Sequence, residues 1–91
     1  MGNAAGLKAW QVLANTEQAL AIELLAGAQA VEFLAPLEPG VGARAARAAV
    51  RELSPRLRED RSLAEDIDRV ARAIRDGSLV AAVEAEAGEL L

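Results

Sequence analysis

Four hydroxyl side chains are the candidate nucleophiles of this sequence, and no base accompanies them. The chain contains no histidine, cysteine or tyrosine, which removes the commonest general base, the thiolate nucleophile and the phenolic acid/base. The hydroxyls that remain are Thr16, Ser54, Ser62 and Ser78. Without a base to activate them, we interpret Thr16 as a mid-helix hydroxyl and the serines as turn or capping residues.

A group of carboxylates could be imagined as a site for a hard cation. The group clusters around a predicted helix start and comprises Glu59, Asp60, Glu65, Asp66 and Asp68. The spacing of a calcium-binding loop is missing, and neutral oxygen ligands are not arranged beside the carboxylates. Acidic side chains in a first helical turn also suit the positive end of the helix dipole. The sequence therefore predicts no metal site.

Glu23 is the most unusual carboxylate, because it lies within a long apolar run. We expect it to be a buried partner of an arginine or a polar group on a neighbouring helix, since glutamate is rarely buried unpaired; a catalytic role is the alternative.

Two sets of arginines recur at helical spacing, Arg44, Arg47 and Arg51, and Arg69, Arg72 and Arg75. Either set could bind an anion, but solvated faces with weak ion pairs are the better interpretation in a net acidic chain. No catalytic, cofactor-binding or metal-binding residue is therefore predicted.

The composition favours packed helices over a sheet. Hydrophobic residues make up 53% of the 91 residues but aromatic residues only 2%, and the difference is mostly alanine, the best helix former.

The net charge of −4 argues against a nucleic-acid surface. Glu17, Glu23 and Glu32 interrupt the long apolar run, which makes a membrane span improbable. Without a signal-peptide pattern at the start, we expect a cytoplasmic location.

A long helix is predicted over residues 4–34, roughly 45 Å at about 1.5 Å per residue. One of its faces carries Leu13, Leu20, Leu24, Gly27, Val31 and Leu34. Ile22 and Leu25 interrupt the polar face opposite, so the middle of the helix is apolar all round while its ends can meet water. Such a helix is typical of burial in a larger helical bundle, and Gly6 with Gly27 would permit close helix crossings.

Three short helices are predicted to follow. Pro36 and Pro39 forbid continuation of the long helix. Ser62 and Glu65 have the spacing of a capping box, and Gly77 fits a left-handed stop with Ser78 capping the last helix. The predicted short helices cover residues 43–53, 62–76 and 78–87. The sequence thus predicts one all-α segment over 1–91, without internal repeat or long linker.

Four stretches of the chain carry a resemblance to a known family: Asn15–Glu17, Leu20–Ala26, Ala28–Ala30 and Asp60–Ile67. Together with the Met-Gly at the start, they resemble the C-terminal part of histidine ammonia-lyases, in the aromatic amino acid ammonia-lyase superfamily. The resemblance runs from Met1 to about Glu84. It implies a mostly α-helical, tetrameric enzyme whose long helices form a central bundle.

The same resemblance implies that the catalytic groups are encoded elsewhere. The family eliminates ammonia from L-histidine to give urocanate, using a methylidene-imidazolone group made from an internal Ala-Ser-Gly tripeptide. This sequence has no Ala-Ser-Gly and no tyrosine to serve as the expected base. The family's late active-site glutamate lies in a Gln-Glu-Asp-His type motif just before the Met-Gly. We expect the chain to begin after that motif, with the cofactor formed in a missing upstream region.

The leading hypothesis is a C-terminal helical packing and oligomerisation segment of histidine ammonia-lyase that is inactive alone. Its expected partners are the rest of the lyase or other copies of itself, bound through the first helix. A free-standing helical homo-oligomer that uses the same helix is the alternative. A regulatory subunit that docks on an intact lyase is a third possibility. Neither nucleic acid nor a membrane is expected as a partner.

Overall fold

The computed structural model describes residues 2–55 and 62–89 of the chain. These stretches fold as four α-helices without a strand: α1 (Gly2–Glu32), α2 (Val41–Leu53), α3 (Ala64–Arg75) and α4 (Ser78–Ala87). The predicted all-α class is confirmed. The helix ends lie within two residues of the ranges expected from the sequence.

The turn that follows α1 is tighter than the helix and precedes the first proline. Phe33 N–H still donates to the carbonyl four residues back, whereas Leu34 N–H donates to Val31 O at 3.1 Å and Ala35 N–H to Glu32 O at 3.3 Å. This shift to three-residue spacing is common where a helix ends. Pro36 has no N–H with which to continue the ladder, so the chain turns here and α2 packs back against α1.

The corner between α3 and α4 requires glycine. Gly77 has φ +82° and ψ 0°, a left-handed conformation that side chains other than hydrogen disfavour. The predicted stop at this position is confirmed. Ser78, expected as the cap of α4, is instead its first residue, and Gly77 occupies the N-cap without a side-chain bond. Asp76 provides the side-chain acceptor that was expected of the serine, because its Oδ1 accepts from Ser78 N–H at 2.8 Å.

The start of α3 also differs from the capping box predicted for it. The helix begins at Ala64, and Leu63 stands at the N-cap with no side-chain cap. Ser62 Oγ accepts from Ala64 N–H at 3.3 Å, so the hydroxyl supports the turn before the helix instead of bonding to Glu65. The prediction placed the cap one residue too early.

The core is built from small side chains in two adjoining clusters. The buried apolar residues are Ala21, Ala28, Ala45, Val50, Val70, Ala71, Ala73 and Leu79, and all but Ala45 belong to one of the two clusters. Leu24, Leu25, Leu53 and Ile74, all half-buried, pack against both clusters and connect them. Because alanine and valine bury little apolar area, this core contributes less hydrophobic stabilisation than a core of leucines and aromatics would.

The face that α1 buries is not the one that the large apolar residues suggested. Leu13 and Leu20 are 50% and 44% exposed, whereas the buried residues of α1 are Glu17, Ala21 and Ala28. Small side chains let α1 lie close to α3, and this contact turns the larger leucines away from the core. Leu13 and Leu20 are therefore uncovered in the single chain, and the expected burial of the helix in a larger bundle stays a prediction.

The molecule is elongated and flat. Its principal extents are 55 × 36 × 17 Å, and its radius of gyration is 15.1 Å, against about 12 Å for a compact chain of this length. Every residue of α1 from Gly2 to Leu13 is exposed. We call this uncovered stretch, residues 2–13, the α1 arm.

Candidate functional site

The four hydroxyls are structural within the described chain. Thr16 Oγ1 donates back to Val12 O at 2.8 Å, as a mid-helix hydroxyl does. Ser54, expected to be a turn residue, ends α2 but is only 1% exposed. Its Oγ donates to Asp66 Oδ2 at 2.5 Å. Because a substrate cannot reach a hydroxyl that is covered in this way, Ser54 is not a candidate nucleophile here.

Ser54 belongs to a polar network that joins the ends of three helices. Arg51 of α2 donates from Nε and Nη2 to the two carboxylate oxygens of Glu32 in α1, at 2.6 and 3.1 Å. Its Nη1 donates to Ser54 O at 3.2 Å. Such a two-pronged arginine–carboxylate contact is among the stronger ion pairs. It fixes the C-terminal end of α1 to that of α2.

The same network continues to the start of α3. Asp66, 1% exposed, accepts from Ser54 and, through Oδ1, from Arg69 Nη2 at 2.6 Å. Arg69 Nε also donates to Leu53 O at 2.8 Å. The sequence analysis interprets Asp66 as one of several acidic residues that suit the helix dipole in a first turn, and the structure buries it as a hydrogen-bond acceptor. The spacing of polar residues along α2 and along α3 does not indicate this contact.

The buried carboxylate of α1 is Glu17, not Glu23. Glu23 is exposed and lines a groove, so its expected burial against an arginine is wrong for the described chain. Glu17 is 5% exposed and accepts from Arg75 Nε at 2.8 Å through Oε2. Glu17 lies four residues before Ala21, on the face that α1 buries, and the sequence alone does not single out that face.

Five of the six arginines in the two sets are paired with carboxylates. Arg72 meets Asp68 at 2.6 Å in a pair that is largely open to solvent, as the weak-ion-pair interpretation expects. Arg47, which is partly buried, meets the exposed Glu38 at 3.9 Å. Arg51, Arg69 and Arg75 instead hold partly or fully buried carboxylates. Anion binding at these positions would have to displace a carboxylate.

Asp76, at the corner before α4, has the clearest electrostatic perturbation. Hydrogen bonds from the Ser78 hydroxyl and the Ser78 backbone N–H lower the pKa of this carboxyl below its ordinary value of 3.8, against a small opposing effect of burial. Donors to the charged form favour that form. The shift reflects a turn contact at the surface and does not mark a reactive group.

Grouped metal-ligating side chains are absent from the described residues. The carboxylates considered as a cation site do not share one environment, because Asp66 is buried and hydrogen-bonded while Glu65 is exposed. Glu59 and Asp60 lie outside the described residues. Across residues 2–55 and 62–89, the helices are too short or too polar to cross a lipid bilayer.

The most prominent surface feature is an uncovered apolar region along α1. On the α1 arm, Leu7 is 71%, Trp10 66% and Leu13 50% exposed. Further along the helix, α1 and α2 border an open groove of about 380 Å³. Its lining comprises Leu20, Glu23, Leu24, Gly27, Ala28 and Val31 of α1 with Ala43, Ala46, Arg47 and Val50 of α2. We call this feature the α1–α2 groove. Exposed apolar surface of this kind is typical of an interaction site.

The amino-acid sequence matches a known protein family. The family model described as aromatic amino acid lyase matches residues 1–52, which is more than half of the chain. The chain therefore belongs to the aromatic amino acid lyase family.

Individual relatives extend the similarity over nearly the whole chain. It is 52% identical over 90 residues to the histidine ammonia-lyase of Symbiobacterium thermophilum and 47% identical to that of Natranaerobius thermophilus. The histidine ammonia-lyase of Anaeromyxobacter dehalogenans is 48% identical over 79 residues. The alignments cover 99%, 99% and 87% of this chain, but 18%, 18% and 16% of those relatives. No solved structure matches significantly. The resemblance predicted from the sequence is thus confirmed, and the chain spans less than a fifth of the proteins it matches.

Proposed function

We propose that this chain is the C-terminal helical packing segment of a histidine ammonia-lyase, whose parent enzyme converts L-histidine to urocanate and ammonia. The observation that carries the proposal is the uncovered apolar surface of α1 in a chain that aligns with histidine ammonia-lyases over 90 residues. Full burial of an exposed leucine contributes roughly 1.5–3 kcal/mol, and Leu7 and Leu13 would gain the part of this that corresponds to their exposed 71% and 50%. The rest of the lyase would supply that burial.

The segment has a scaffolding role in this proposal. Its one buried serine donates to a carboxylate that is also held by an arginine. Its exposed hydroxyls lie along α1, in the turn before α3 and at the first residue of α4. Neither the tripeptide that the family converts to its electrophile nor a tyrosine base occurs in the sequence. We therefore expect no lyase activity from the chain alone, and no methylidene-imidazolone group bound to it.

Two urocanate assays test this proposal. The purified chain with L-histidine should give no rise in urocanate absorbance above a protein-free blank, and turnover would contradict the scaffolding role. The Symbiobacterium relative, shortened by the stretch that aligns with this chain, should regain activity when co-expressed with it. Failure of the chain to restore activity, with the full-length relative active under the same conditions, would overturn the packing role.

Matched variants make the second assay specific for the apolar surface. Leu13→Asp places a charge on the uncovered side of α1 and should prevent restoration. Ala4→Asp places the same charge on the arm, about 160° around the helix from Gly6 at 3.6 residues per turn, and should permit it. Equal restoration by both variants would show that α1 does not pack as proposed.

A free-standing homo-oligomer is the second candidate, favoured by the same exposed α1 surface. It requires no further polypeptide. Light scattering of the purified chain distinguishes the two: one defined oligomer with a cooperative melting transition supports the free-standing protein, whereas heterogeneous aggregation supports a segment that needs the rest of a lyase.

A further inference from the structure

Two ion pairs of different geometry hold α1 to the rest of the molecule. At the C-terminal end of the helix, both carboxylate oxygens of Glu32 accept from Nε and Nη2 of Arg51 in α2, at 2.6 and 3.1 Å. Nearer the N-terminal end, one oxygen of Glu17 accepts from Nε of Arg75 in α3 at 2.8 Å. Because a two-pronged arginine–carboxylate contact is the stronger kind, α1 is held more firmly at its C-terminal end.

The contact at Glu17 also carries a penalty. Glu17 is 5% exposed, and its Oε1 atom is buried without a hydrogen-bond partner in the described chain. A buried acceptor that has exchanged water for no donor destabilises the arrangement that buries it. Separation of α1 from α3 at this point would return Oε1 to water. The attachment of α1 to α3 is therefore weakened at the residue that makes its only ion pair in the described chain.

The apolar contacts of α1 differ along the helix in the same direction. Ala28 packs in a cluster with one buried residue from each of the other three helices. Ala21 packs in a cluster whose other buried members, Val70 and Ala71, both belong to α3. Towards the N-terminus, the α1 arm is exposed throughout. The buried contacts of α1 thus involve three helices near its C-terminal end and α3 alone before that.

A glycine lies between these two parts of α1. Gly27 directly precedes Ala28, and a Cβ built on it would meet no described atom within 4 Å, so close packing in the single chain does not require glycine here. Glycine lowers the local stability of a helix relative to alanine, and small residues often absorb the change in backbone angles at a hinge. Gly27 is therefore the position at which α1 bends most easily between its two attachments.

We propose that residues 2–26, which we call the α1 strap, open away from α3 about Gly27 while residues 28–32 stay attached to the other helices. The strap moves as one piece, because its helix is continuous up to the glycine. This opening is a property of the single chain and goes beyond the proposed function. Its test requires no lyase, and its failure would leave the proposed packing role untouched.

Opening of the strap breaks some contacts and relieves others. It releases Glu17 and Arg75 to water and uncovers Ala71 on α3. It also withdraws Leu24 and Leu25, both half-buried, from the edges of the core. The loss of these leucine contacts keeps the closed form dominant, so the open form is a minor state reached by a local fluctuation.

Cysteine labelling detects such a minor state, because the natural sequence has no cysteine and a buried thiol reacts only when an opening exposes it. Ala21→Cys and Ala28→Cys are a matched pair, seven positions apart on one face of α1. Ala21→Cys should react with a small disulfide reagent at least about tenfold faster, through the local opening. The exposed fractions predict the opposite order, since Ala21 is 0% and Ala28 6% exposed. Equal rates, or a faster reaction of Ala28→Cys, would overturn the proposal.

A second pair of variants on α3 leaves the strap itself unaltered. Ala71 and Ala73 are 4% and 5% exposed, but Ala71 shares a cluster with Ala21 and Ala73 shares one with Ala28. Ala71→Cys should therefore react at least about tenfold faster than Ala73→Cys. The circular dichroism of each variant, compared with that of the natural chain, checks that it folds. Equal reaction of the two would show that α3 is not uncovered and would overturn the opening.

A substitution of Glu17 tests the cause of the opening. In the Ala21→Cys chain, Glu17→Leu should slow the labelling reaction by about threefold or more, because leucine places no unpartnered acceptor in the buried position. The side chain of Arg75 is 55% exposed, so its charge stays hydrated when the carboxylate is removed. An unchanged or faster reaction would exclude the buried oxygen of Glu17 as the reason that the strap opens.

A pair of glycine variants tests the position of the bend. Gly27→Ala should slow the labelling of Ala21→Cys by about threefold, because alanine raises the local stability of the helix and its Cβ enters open space. Gly6→Ala is the matched control, since Gly6 is an equally uncovered helical glycine that lies on the α1 arm. It should leave the rate unchanged. Equal effects of the two substitutions would overturn Gly27 as the point of bending.

Discussion

Arg75 in α3 donates a hydrogen bond from Nε to Oε2 of Glu17 in α1 over 2.8 Å, joining residues 58 positions apart. Glu17 is 5% exposed, and its other oxygen, Oε1, is buried with no partner in the described chain. A buried carboxylate therefore depends on one guanidinium for compensation. The contact fixes the position of α1 on α3 at the point where the α1 arm leaves the body of the molecule.

The first prediction concerns this ion pair. Arg75→Met should lower the free energy of unfolding by about 1–3 kcal/mol, because it leaves the Glu17 carboxylate buried without a counter-charge. Denaturant unfolding followed by circular dichroism measures the change. Adding Glu17→Leu to Arg75→Met should recover most of the loss, since replacing both members by apolar groups is often neutral. A double variant no more stable than the single one would argue against this account.

A serine-to-alanine pair tests the network at the end of α2. Ser54→Ala removes the hydroxyl donor from Asp66 while both residues stay buried, and should lower the free energy of unfolding by about 1–3 kcal/mol. Ser62→Ala is the matched control, because that hydroxyl is exposed and accepts one bond at 3.3 Å. It should change stability by less than about 1 kcal/mol. Similar losses in the two variants would show that burial of the Ser54–Asp66 contact is unimportant.

A valine pair tests how much the thin core contributes. Val70 is fully buried, and Val70→Ala should cost about 2 kcal/mol through lost transfer free energy and the cavity left behind. Val80 on α4 is 49% exposed, so Val80→Ala should have a smaller effect, within about 0.5 kcal/mol. Thermal or denaturant unfolding compares them. Equal losses would contradict the assignment of Val70 to the core.

Asp76 predicts a dependence of stability on pH in the acid range. Hydrogen bonds from Ser78 lower the pKa of this carboxyl below 3.8 in the folded state. The resulting stabilisation is therefore fully present above about 3.8 and is lost as the pH falls through the lower folded pKa. Carboxyl chemical shifts measured by NMR across pH 2–5 should show Asp76 titrating below the unfolded value. In Ser78→Ala, the Asp76 pKa should move up, and an unchanged pKa would exclude the hydroxyl as a cause.

Helix positions were predictable from the sequence, and side-chain partners were less so. Pro36 ends the tightened turn after α1, and Gly77 occupies the left-handed corner, since both positions follow from local backbone chemistry. The choice of Glu17 over Glu23 for burial depends on which face of α1 meets α3. That choice is made by tertiary packing, and an apolar run that surrounds a helix does not encode it.

The contact between Ser54 and Asp66 was missed for a related reason. The two residues are twelve positions apart and belong to different helices, so no periodicity within one helix relates them. Each also fits a common local role, a residue before proline and an acid in a first turn. Local patterns of this kind describe one helix at a time, whereas the network depends on how three helix ends converge.

The smallest dimension of the molecule, 17 Å, is less than two helix diameters of about 10–12 Å each. No helix in the described chain is therefore enclosed on all sides. At most one helix separates any backbone amide of the core from bulk water. Hydrogen exchange in the isolated chain should consequently proceed through opening of single helices, with little difference in protection between the centre and the edge. Assembly would add the missing layer, and slowed exchange along α1 would report when that layer forms.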